Sequence, residues 1–383
     1  MLCVLALLSA IAPLATDMYL PALPSMTEHL GTTDTAVQST LATFMAGLGI
    51  GQLIAGPLSD GTGRRRLLIG GTALCAVSGV LCAIAPSIEV LVAARLLQGF
   101  SGGVGIVLAR AVIADRAKGD AAARLFSIMM IIGGVAPVVA PLMGGALLGP
   151  VGWRGIFWVL AGAAVVMLLG VLFLVPETLP VERRHGGGLA ALAGNLRYVV
   201  TNRIYLGYAF TFMFGFGALF SYISASPFVV QGILGLSPGQ FSIVFAVNSL
   251  GIMLGSIVNT KLIGTVSPRR LLTFGVGLLM TSGLLLTLAT TIGGTNIWLV
   301  LPLMFSSVTA IGFIMGNATA LAQGQVTEAA GTGSALMGAG QFGLAAIVTP
   351  LVGIGGTAVP MAVAILVSGT VALASLKILA RAD

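Results

Sequence analysis

Apolar residues fill long continuous segments of this chain, and short breaks rich in charge, proline or glycine separate them. A helix that crosses the hydrocarbon layer of a membrane, about 30 Å thick, needs about 20 apolar residues. Cutting the sequence at its breaks predicts twelve such helices. They cover residues 2–23, 37–58, 67–85, 90–113, 125–148, 156–175, 204–230, 241–263, 271–292, 297–321, 329–352 and 359–379.

The amino-acid composition is also typical of a membrane-spanning chain. Of its 383 residues 57% are hydrophobic and 8% charged, and mean hydropathy is +1.08, whereas soluble domains carry about 25% charged residues. The sequence therefore predicts an all-α membrane protein. Hydrophobic residues begin at Leu2, which leaves open that a short cytoplasmic tail is missing before it.

Basic residues give the orientation, because cytoplasmic loops carry an excess of lysine and arginine. Only Arg154 lies on the opposite side, so both termini are expected in the cytoplasm. This bias also explains the formal charge of +7 without a nucleic-acid partner. The basic residues of the predicted inner side are Arg64, Arg65, Arg66, Arg116, Lys118, Arg124, Arg183, Arg184, Arg197, Arg203, Lys261, Arg269, Arg270, Lys377 and Arg381.

An internal repeat divides the chain into halves. A shift of 204 residues superposes Gly47 on Gly251, Gly51 on Gly255, and Arg65-Arg66-Leu67-Leu68 on Arg269-Arg270-Leu271-Leu272. We expect six-helix bundles at 1–175 and 204–383, joined by a cytoplasmic linker at 176–203. A repeat of six spans predicts a pseudo-two-fold axis along the membrane normal, with substrate bound between the halves. The small residues four apart predict close helix contacts.

One carboxylate, Asp17, lies well inside a predicted span. An ionised side chain at that depth costs several kcal/mol, so it is by default a candidate for function. We expect Asp17 to load and release a proton, with Arg95 of span four as its partner. A static ion pair, or a helix cap near Pro21 and Pro24, is the structural alternative. Arg110, near the inner end of span four, either takes part in proton coupling or extends to the interface.

Several motifs mark particular loops and helices. The loop after span two reads "GPLSDGTGRRR", with Gly56, Asp60, Gly63, Arg64 and Arg65 at its signature positions. Span five carries "GGVAPVVAPLMGG", in which Pro137 and Pro141 remove backbone donors and Gly144 and Gly145 permit close contact, so a helix bend is expected. "RLLQG" begins at Arg95, "SYISASPFVVQ" at Ser221 and "DMYLPALP" at Asp17.

These motifs, over nearly the whole chain, make it similar to the major facilitator superfamily, and within it to the Bcr/CflA drug-resistance branch of the drug/proton antiporters. The resemblance implies a monomer in the bacterial inner membrane that exports bicyclomycin- or chloramphenicol-like antimicrobials in exchange for protons, by alternating access. It also implies that Asp60 helps to latch the cytoplasmic side. Gly61 stands where the family usually has arginine or lysine, which puts the strength of that latch in question.

Other side chains within the spans are candidates to line a substrate cavity. Each polar one also suits an interhelical hydrogen bond, and each apolar one suits packing against lipid. The candidates are Tyr19, Gln98, Phe212, Met213, Phe216, Tyr222, Asn248, Asn317 and Gln341.

Two other functions remain open from the sequence. One is a proton-coupled uptake permease of the same fold. The other is a membrane-embedded enzyme, for which "GFSGG" at Gly99–Gly103 matches a hydrolase pattern but falls in a predicted helix rather than in a strand-to-helix turn. We expect neither cofactor nor metal nor catalytic residue, because no Walker loop, dinucleotide fingerprint or zinc motif is present.

Overall fold

Helices make up the described part of the chain. The structure is a computed structural model that describes residues 2–117, 119–180, 196–292 and 295–381; for residues 2, 3, 119–124, 126, 127 and 130 it describes the backbone alone. The chain divides into two compact units, 1–187 and 188–383. Lys118, Arg183 and Arg184, with the linker positions 181–195, lie outside the described residues.

Where the structure describes it, the first unit contains six α-helices. A 3₁₀ turn at Leu20–Ala22 joins the first two, which together form one membrane-length segment, Val4–His29. The helices are α1 (Leu2–Asp17), α2 (Leu23–His29), α3 (Asp34–Thr62), α4 (Arg64–Ile84), α5 (Ile88–Arg116) and α6 (Gly119–Leu174).

Helix α6 crosses the membrane twice. Its apolar part, Ile131–Leu174, has 44 residues, or about 66 Å at 1.5 Å per residue, roughly twice the hydrocarbon layer. The chain breaks at Gly152, where φ is 64° and ψ is −179°, a conformation that only glycine adopts readily. Counting this segment twice turns the eleven membrane-length segments found among the described residues into twelve crossings.

Among its described residues the second unit has a short helical stretch at 196–201, followed by six longer α-helices. Short π-helical stretches follow the first and the last of them, at Phe228–Ile233 and Ser375–Leu379. The helices are α7 (Arg203–Pro227), α8 (Pro238–Leu262), α9 (Pro268–Thr291), α10 (Ile297–Gln323), α11 (Ala330–Leu351) and α12 (Val359–Ala374). The prediction of an all-α membrane protein is confirmed.

Polar residues placed just before the helices start them. The side chain of Thr33 accepts a hydrogen bond from the backbone N–H of Ala36 at 3.2 Å and so caps α3. At α8 Ser237 and Gln240 form a reciprocal capping box, and Pro238 occupies the first turn, where its missing N–H costs nothing.

Glycines bring α3 and α5 into backbone contact. A Cβ atom at Gly47 would collide with the carbonyl oxygen of Leu96, and one at Gly99 with that of Phe44. The second unit repeats the arrangement between α8 and α10, where a Cβ at Gly255 would lie 2.6 Å from the carbonyl oxygen of Thr309. The predicted close contacts at these small residues are confirmed.

Candidate functional site

Asp17 ends helix α1 inside the first membrane-length segment. The helix stops there because Pro21, four residues later, has no N–H to donate to the carbonyl of Asp17. The side chain is 4% exposed. Its Oδ1 atom has no hydrogen-bond partner among the described residues, and within that part of the chain no arginine, lysine or histidine nitrogen lies within 4.0 Å. The carboxyl group is thus buried and unpaired.

Arg95 on α5 lies fully buried in a cage of aromatic rings. The guanidinium carbon is 4.2 Å from the ring centroid of Phe44, 4.4 Å from that of Tyr19 and 5.7 Å from that of Phe157. Helices α3 and α6 and the turn after α1 supply these rings. Cation–π attraction is strongest when the cation has lost its water, as here.

Hydrogen bonds fix the guanidinium within the cage. Nη1 donates to Oε1 of Gln98 at 2.7 Å and to the carbonyl of Ala15 at 3.0 Å, and Nε donates to the carbonyl of Thr40 at 3.4 Å. Nη2 has no partner among the described residues. Arg95 thus reaches the backbone of α1 two residues before Asp17, but in this conformation the two side chains form no ion pair.

The remaining candidates near Arg95 in the sequence prediction, Tyr19, Gln98 and Arg110, differ in their contacts and burial. The hydroxyl groups of Tyr19 and Thr40 lie 3.0 Å apart, and this hydrogen bond fixes the Tyr19 ring in its place in the cage. Cys82 donates from Sγ to Oε1 of Gln98 at 3.8 Å. Arg110, further along α5, is exposed and forms neither a hydrogen bond nor an ion pair with a described residue.

A polar cluster joins α3, α4 and α5 at the opposite end of the unit. Nη1 of Arg64 lies 2.6 Å from Oδ1 of Asp60, and Nε lies 3.3 Å from Oδ2 of Asp115. Arg64 also contacts the hydroxyl of Ser59, and Thr178 donates to Asp115 at 3.0 Å. Asp60, the predicted latch residue, remains 53% exposed while it pairs with Arg64.

Glu177 caps the start of α4 from the segment that follows α6. Its Oε1 accepts from the backbone N–H groups of Arg64, Thr178 and Leu179 at 2.9–3.0 Å, and its Oε2 accepts from that of Arg65 at 3.2 Å. Burial raises the pKa of Glu177, but these hydrogen bonds outweigh it and hold the pKa below its usual value. The carboxylate therefore serves as an anion at a helix N-terminus.

The remaining signature positions of this loop shape its backbone. Gly63 has φ of 96° between α3 and α4, which allows one helix to end and the next to begin without a linker. Arg65 donates to the carbonyl of Leu172 at 2.8 Å, and Gly56 has open space around its Cα.

Helix α6 passes through the "GGVAPVVAPLMGG" motif of span five without a break in its dihedral angles. Pro137 and Pro141 lie inside the helix, and the non-helical residue is Gly152. A Cβ at Gly144 would collide with the carbonyl oxygen of Met18, the residue after Asp17. Gly145 is half-buried beside it. The signature thus places the backbone of α6 directly against the end of α1.

In the second unit Tyr222 and Asn248 come together. The Asn248 side chain donates to the Tyr222 hydroxyl at 2.8 Å, and the Tyr222 ring stacks on Phe245 at 5.5 Å. Asn248 also lines an apolar cavity of about 640 Å³ between α8 and α10, together with residues such as Trp298 and Phe305.

Two candidates of α7, Phe216 and Met213, contact α11. Phe216 packs edge-to-face on Phe342, with ring centroids 5.7 Å apart, and Met213 covers Gly340. Phe212 is buried. Gln341 is half-buried and makes no hydrogen bond to a described residue.

Asn317 lies apart from these residues, buried between α10 and α8. It donates to Oδ1 of Asn259 at 2.6 Å and to the carbonyl of Phe313 at 2.9 Å. Since both asparagines are buried, this contact is an interhelical hydrogen bond between satisfied groups.

Sequence reasoning missed several members of these sites. Phe44, Phe157 and Thr40 complete the surroundings of Arg95, and Asp115 and Glu177 complete the polar cluster around Arg64. Asp115 near the end of α5 and Glu177 after α6 stand where acidic residues are common, and a phenylalanine in an apolar span gives no signal of its own. The described residues contain no group of three or more histidine, cysteine or acidic side chains placed to hold a metal ion.

Comparison with known proteins identifies the fold family. The profile of the Major Facilitator Superfamily matches residues 5–350. The chain is similar in fold to the nucleoside transporter NupG, with a TM-score of 0.77, 13% identity and coverage of 98% of this chain and 97% of that one. It is also similar to a D-xylose-proton symporter, with a TM-score of 0.72, 16% identity and coverage of 96% and 95%.

Sequence relatives extend the comparison. An uncharacterized MFS-type transporter, YdgK of Bacillus subtilis, is 38% identical over 96% of this chain and 92% of its own length. A bicyclomycin resistance protein homolog of Haemophilus influenzae is 30% identical over 91% and 87%. The multidrug resistance protein MdtL of Klebsiella pneumoniae is 27% identical over 86% and 82%. The chain belongs to the major facilitator superfamily and is a multi-pass membrane transporter, not an enzyme.

Proposed function

We propose that this chain is a proton-coupled multidrug antiporter that exports small antimicrobial compounds from the cytoplasm. Relatives named for bicyclomycin resistance and for multidrug resistance support export of drugs. Bicyclomycin- and chloramphenicol-like compounds are the first substrates to test. The transporter works by alternating access as a monomer in the inner membrane, with both termini in the cytoplasm.

The buried, unpaired carboxyl group of Asp17 carries the proposal. An ionised carboxylate sealed from water without a partner costs several kcal/mol. Water reaching Asp17 therefore allows ionisation, and sealing it favours proton uptake. One proton moving through the membrane potential supplies about 2.3 kcal/mol per 100 mV, which is enough to drive accumulation against a gradient.

Arg95 is the second member of the proposed coupling site. It lies in a membrane-length helix with no carboxylate partner among the described residues, held by carbonyls, Gln98 and aromatic rings. A buried cation without a counter-ion stabilises negative charge in its surroundings. Its hydrogen bond to the carbonyl of Ala15 connects Arg95 on α5 to the end of α1, where Asp17 lies. Arg110, which is exposed, is the weaker candidate and extends to the interface.

Apolar and aromatic side chains with a few polar groups suit drug-like cargo. In the first unit Tyr19 and Gln98 occupy the surroundings of Arg95. In the second unit, Phe216 and Met213 with α11 provide an adaptable apolar surface, and Gln341 is a half-buried amide without a described hydrogen-bond partner. We propose these residues, with Tyr222 and Asn248, as substrate contacts, and Asn317 as a packing residue.

The test replaces Asp17 by asparagine in purified protein reconstituted into liposomes. Drug accumulation and proton flux are measured under an imposed pH gradient. Asp17→Asn is expected to remove drug-driven proton flux and uphill export while leaving the amount of folded, inserted protein unchanged. Glu28→Gln is the matched control, because Glu28 is an exposed carboxylate near the same end of the unit, and it should export normally.

Two results would overturn the proposal. Uphill, uncoupler-sensitive export by Asp17→Asn would remove Asp17 from the proton pathway. Proton-driven accumulation of a metabolite in the opposite direction, with no drug export by the unmodified protein, would make it an uptake permease.

A further inference from the structure

A cavity of about 380 Å³ opens at the end of the first unit opposite to the Arg64 cluster. It lies where α2 ends and where α6 breaks at Gly152. Helix α3 starts near this end at Asp34 and finishes at Thr62 by the arginines, so the two sites are separated by the length of a membrane-spanning helix. The cavity is lined by Ser25, His29, Leu148, Val151, Gly152, Trp153 and Arg154.

The guanidinium of Arg154 is presented at this cavity by two fixed contacts. Nη2 donates to the carbonyl of Ala85, at the end of α4, at 2.9 Å. The guanidinium carbon stands 4.1 Å from the ring centroid of the buried Trp153. Arg154 makes no other hydrogen bond to a described residue, so its remaining N–H groups are available to a planar or tetrahedral anion.

Two other lining residues, His29 and Ser25, offer acceptors rather than donors. Nδ1 of His29 lies 2.7 Å from the carbonyl of Ser25, and since a carbonyl only accepts, Nδ1 carries the hydrogen and Nε2 is the ring nitrogen left to accept from a ligand hydroxyl. The Ser25 hydroxyl donates to the carbonyl of Ala22 at 2.8 Å and keeps its oxygen lone pairs. A ligand that contacts Arg154 and these two acceptors therefore combines an anion with hydroxyl groups.

Charge and polarity around the cavity agree with such a ligand. None of the described residues that line it is a carboxylate. Glu28 is exposed on the adjoining turn, and Asp34 accepts a hydrogen bond from Thr27 at 3.0 Å. Leu148 and Val151 form an apolar side, and Val151 is 47% exposed. A free inorganic anion would leave that apolar side unused, whereas a lipid would cover it with the start of its acyl chains.

We propose that this cavity binds the headgroup of an anionic phospholipid, with the phosphodiester on Arg154, headgroup hydroxyls on His29 and Ser25, and the acyl chains beside Val151. The volume is within the range of small-molecule sites. The tryptophan and arginine at the end of a membrane-spanning helix are the residue types found at membrane interfaces. Phosphatidylglycerol carries a phosphodiester, headgroup hydroxyls and acyl chains, and it is therefore the lipid to test first.

The test is native mass spectrometry of the delipidated, detergent-solubilised full chain. Phosphatidylglycerol and phosphatidylethanolamine with identical acyl chains are titrated separately, and inorganic phosphate is added as a competitor. We expect one tight phosphatidylglycerol site, about tenfold weaker binding of phosphatidylethanolamine, and about tenfold weaker phosphatidylglycerol binding by Arg154→Gln, as loss of one charge-assisted contact of about 1.4 kcal/mol predicts.

A second variant guards against a folding effect of Arg154→Gln, since that side chain also caps α4. Val151→Glu places a carboxylate at the exposed mouth and leaves Arg154 in place, and it should weaken phosphatidylglycerol binding equally. Arg270→Gln, an exposed arginine at the start of α9, is the control and should keep the site.

Three outcomes would overturn the assignment. Equal affinity for phosphatidylglycerol and phosphatidylethanolamine would show that the protein does not recognise the headgroup. Unchanged phosphatidylglycerol binding by both Arg154→Gln and Val151→Glu would place the lipid elsewhere. Displacement of the lipid by inorganic phosphate at equal concentration would show a site for a free anion, not for a lipid.

Discussion

Nη1 of Arg95 donates a hydrogen bond of 2.7 Å to Oε1 of Gln98, one turn further along α5. This bond, with the contacts to the carbonyls of Ala15 and Thr40, holds a buried cation within an aromatic cage. Carbonyl and ring electrons stabilise the charge but do not neutralise it. The first unit thus keeps a positive charge within reach of α1 without pairing it to Asp17.

Substitutions at Arg95 and Gln98 distinguish the contribution of the guanidinium to proton coupling from its contribution to stability. Arg95→Met leaves Oε1 of Gln98 and two backbone carbonyls without their charged donor, so it should lower the melting temperature in detergent and also remove drug-driven proton flux. Gln98→Leu removes a bond to a charged donor, worth about 1.5–3 kcal/mol, and should lower the melting temperature. Normal coupled export by Arg95→Met would exclude the cation from the mechanism.

Gly144 controls how closely α6 approaches the end of α1. A side chain at this position would meet the carbonyl oxygen of Met18, so Gly144→Ala must push the two helices apart beside Asp17. We expect loss of coupled export and a lower melting temperature in detergent. Gly149→Ala, in the same helix with open space around it, is the matched control and should be as stable as the unmodified protein or slightly more so. Equal export and equal melting temperatures of Gly144→Ala and Gly149→Ala would contradict the close contact between α6 and the end of α1.

Glu177 should make stability depend on pH. Its pKa is lowered by hydrogen bonds from the start of α4, which outweigh the effect of burial, so its contribution is present above the unfolded pKa of about 4.3 and is lost as pH falls through the folded value. Glu177→Gln should lower the melting temperature at pH 7, by the loss of a cap worth about 0.5–2 kcal/mol.

The same variant should flatten the fall in melting temperature between neutral pH and pH 3. Glu28→Gln, which alters an exposed carboxylate at the other end of the unit, should keep the slope of the unmodified protein. A slope unchanged in Glu177→Gln would show that other carboxylates govern acid unfolding.

Much of this architecture could be read from the sequence because a membrane leaves few choices. Every backbone polar group must be satisfied within the span, so long apolar runs become helices. Asp17 and Arg95 could be found because charges inside spans are rare. Phe44 and Phe157 could not, since the cage assembles from three elements distant in the chain and its rings resemble any lipid-facing phenylalanine.

The polar cluster around Arg64 illustrates the same limit for polar residues. The loop signature identified Asp60 and Arg64, but Asp115 and Glu177 fall at the ends of other helices, where an acidic residue is ordinary. Only the packing of α4 against α5 and α6 brings them to Arg64 and to the start of α4. The double crossing of α6 was predicted as two spans, because the prolines and glycines near Gly152 break the apolar run even though the helix is nearly continuous.

Asn259 and Asn317 allow a direct measurement of one interhelical bond. The 2.6 Å contact joins two buried amides on α8 and α10, and hydrogen bonds between membrane helices contribute about 0.6 kcal/mol on average and up to about 1.7. A double-mutant cycle with Asn259→Ala and Asn317→Ala should give a coupling energy in that range. Drug specificity should be unchanged in both single variants, because the pair is satisfied within the second unit. A change in substrate profile for Asn317→Ala, at unaltered stability, would instead make this residue a substrate contact.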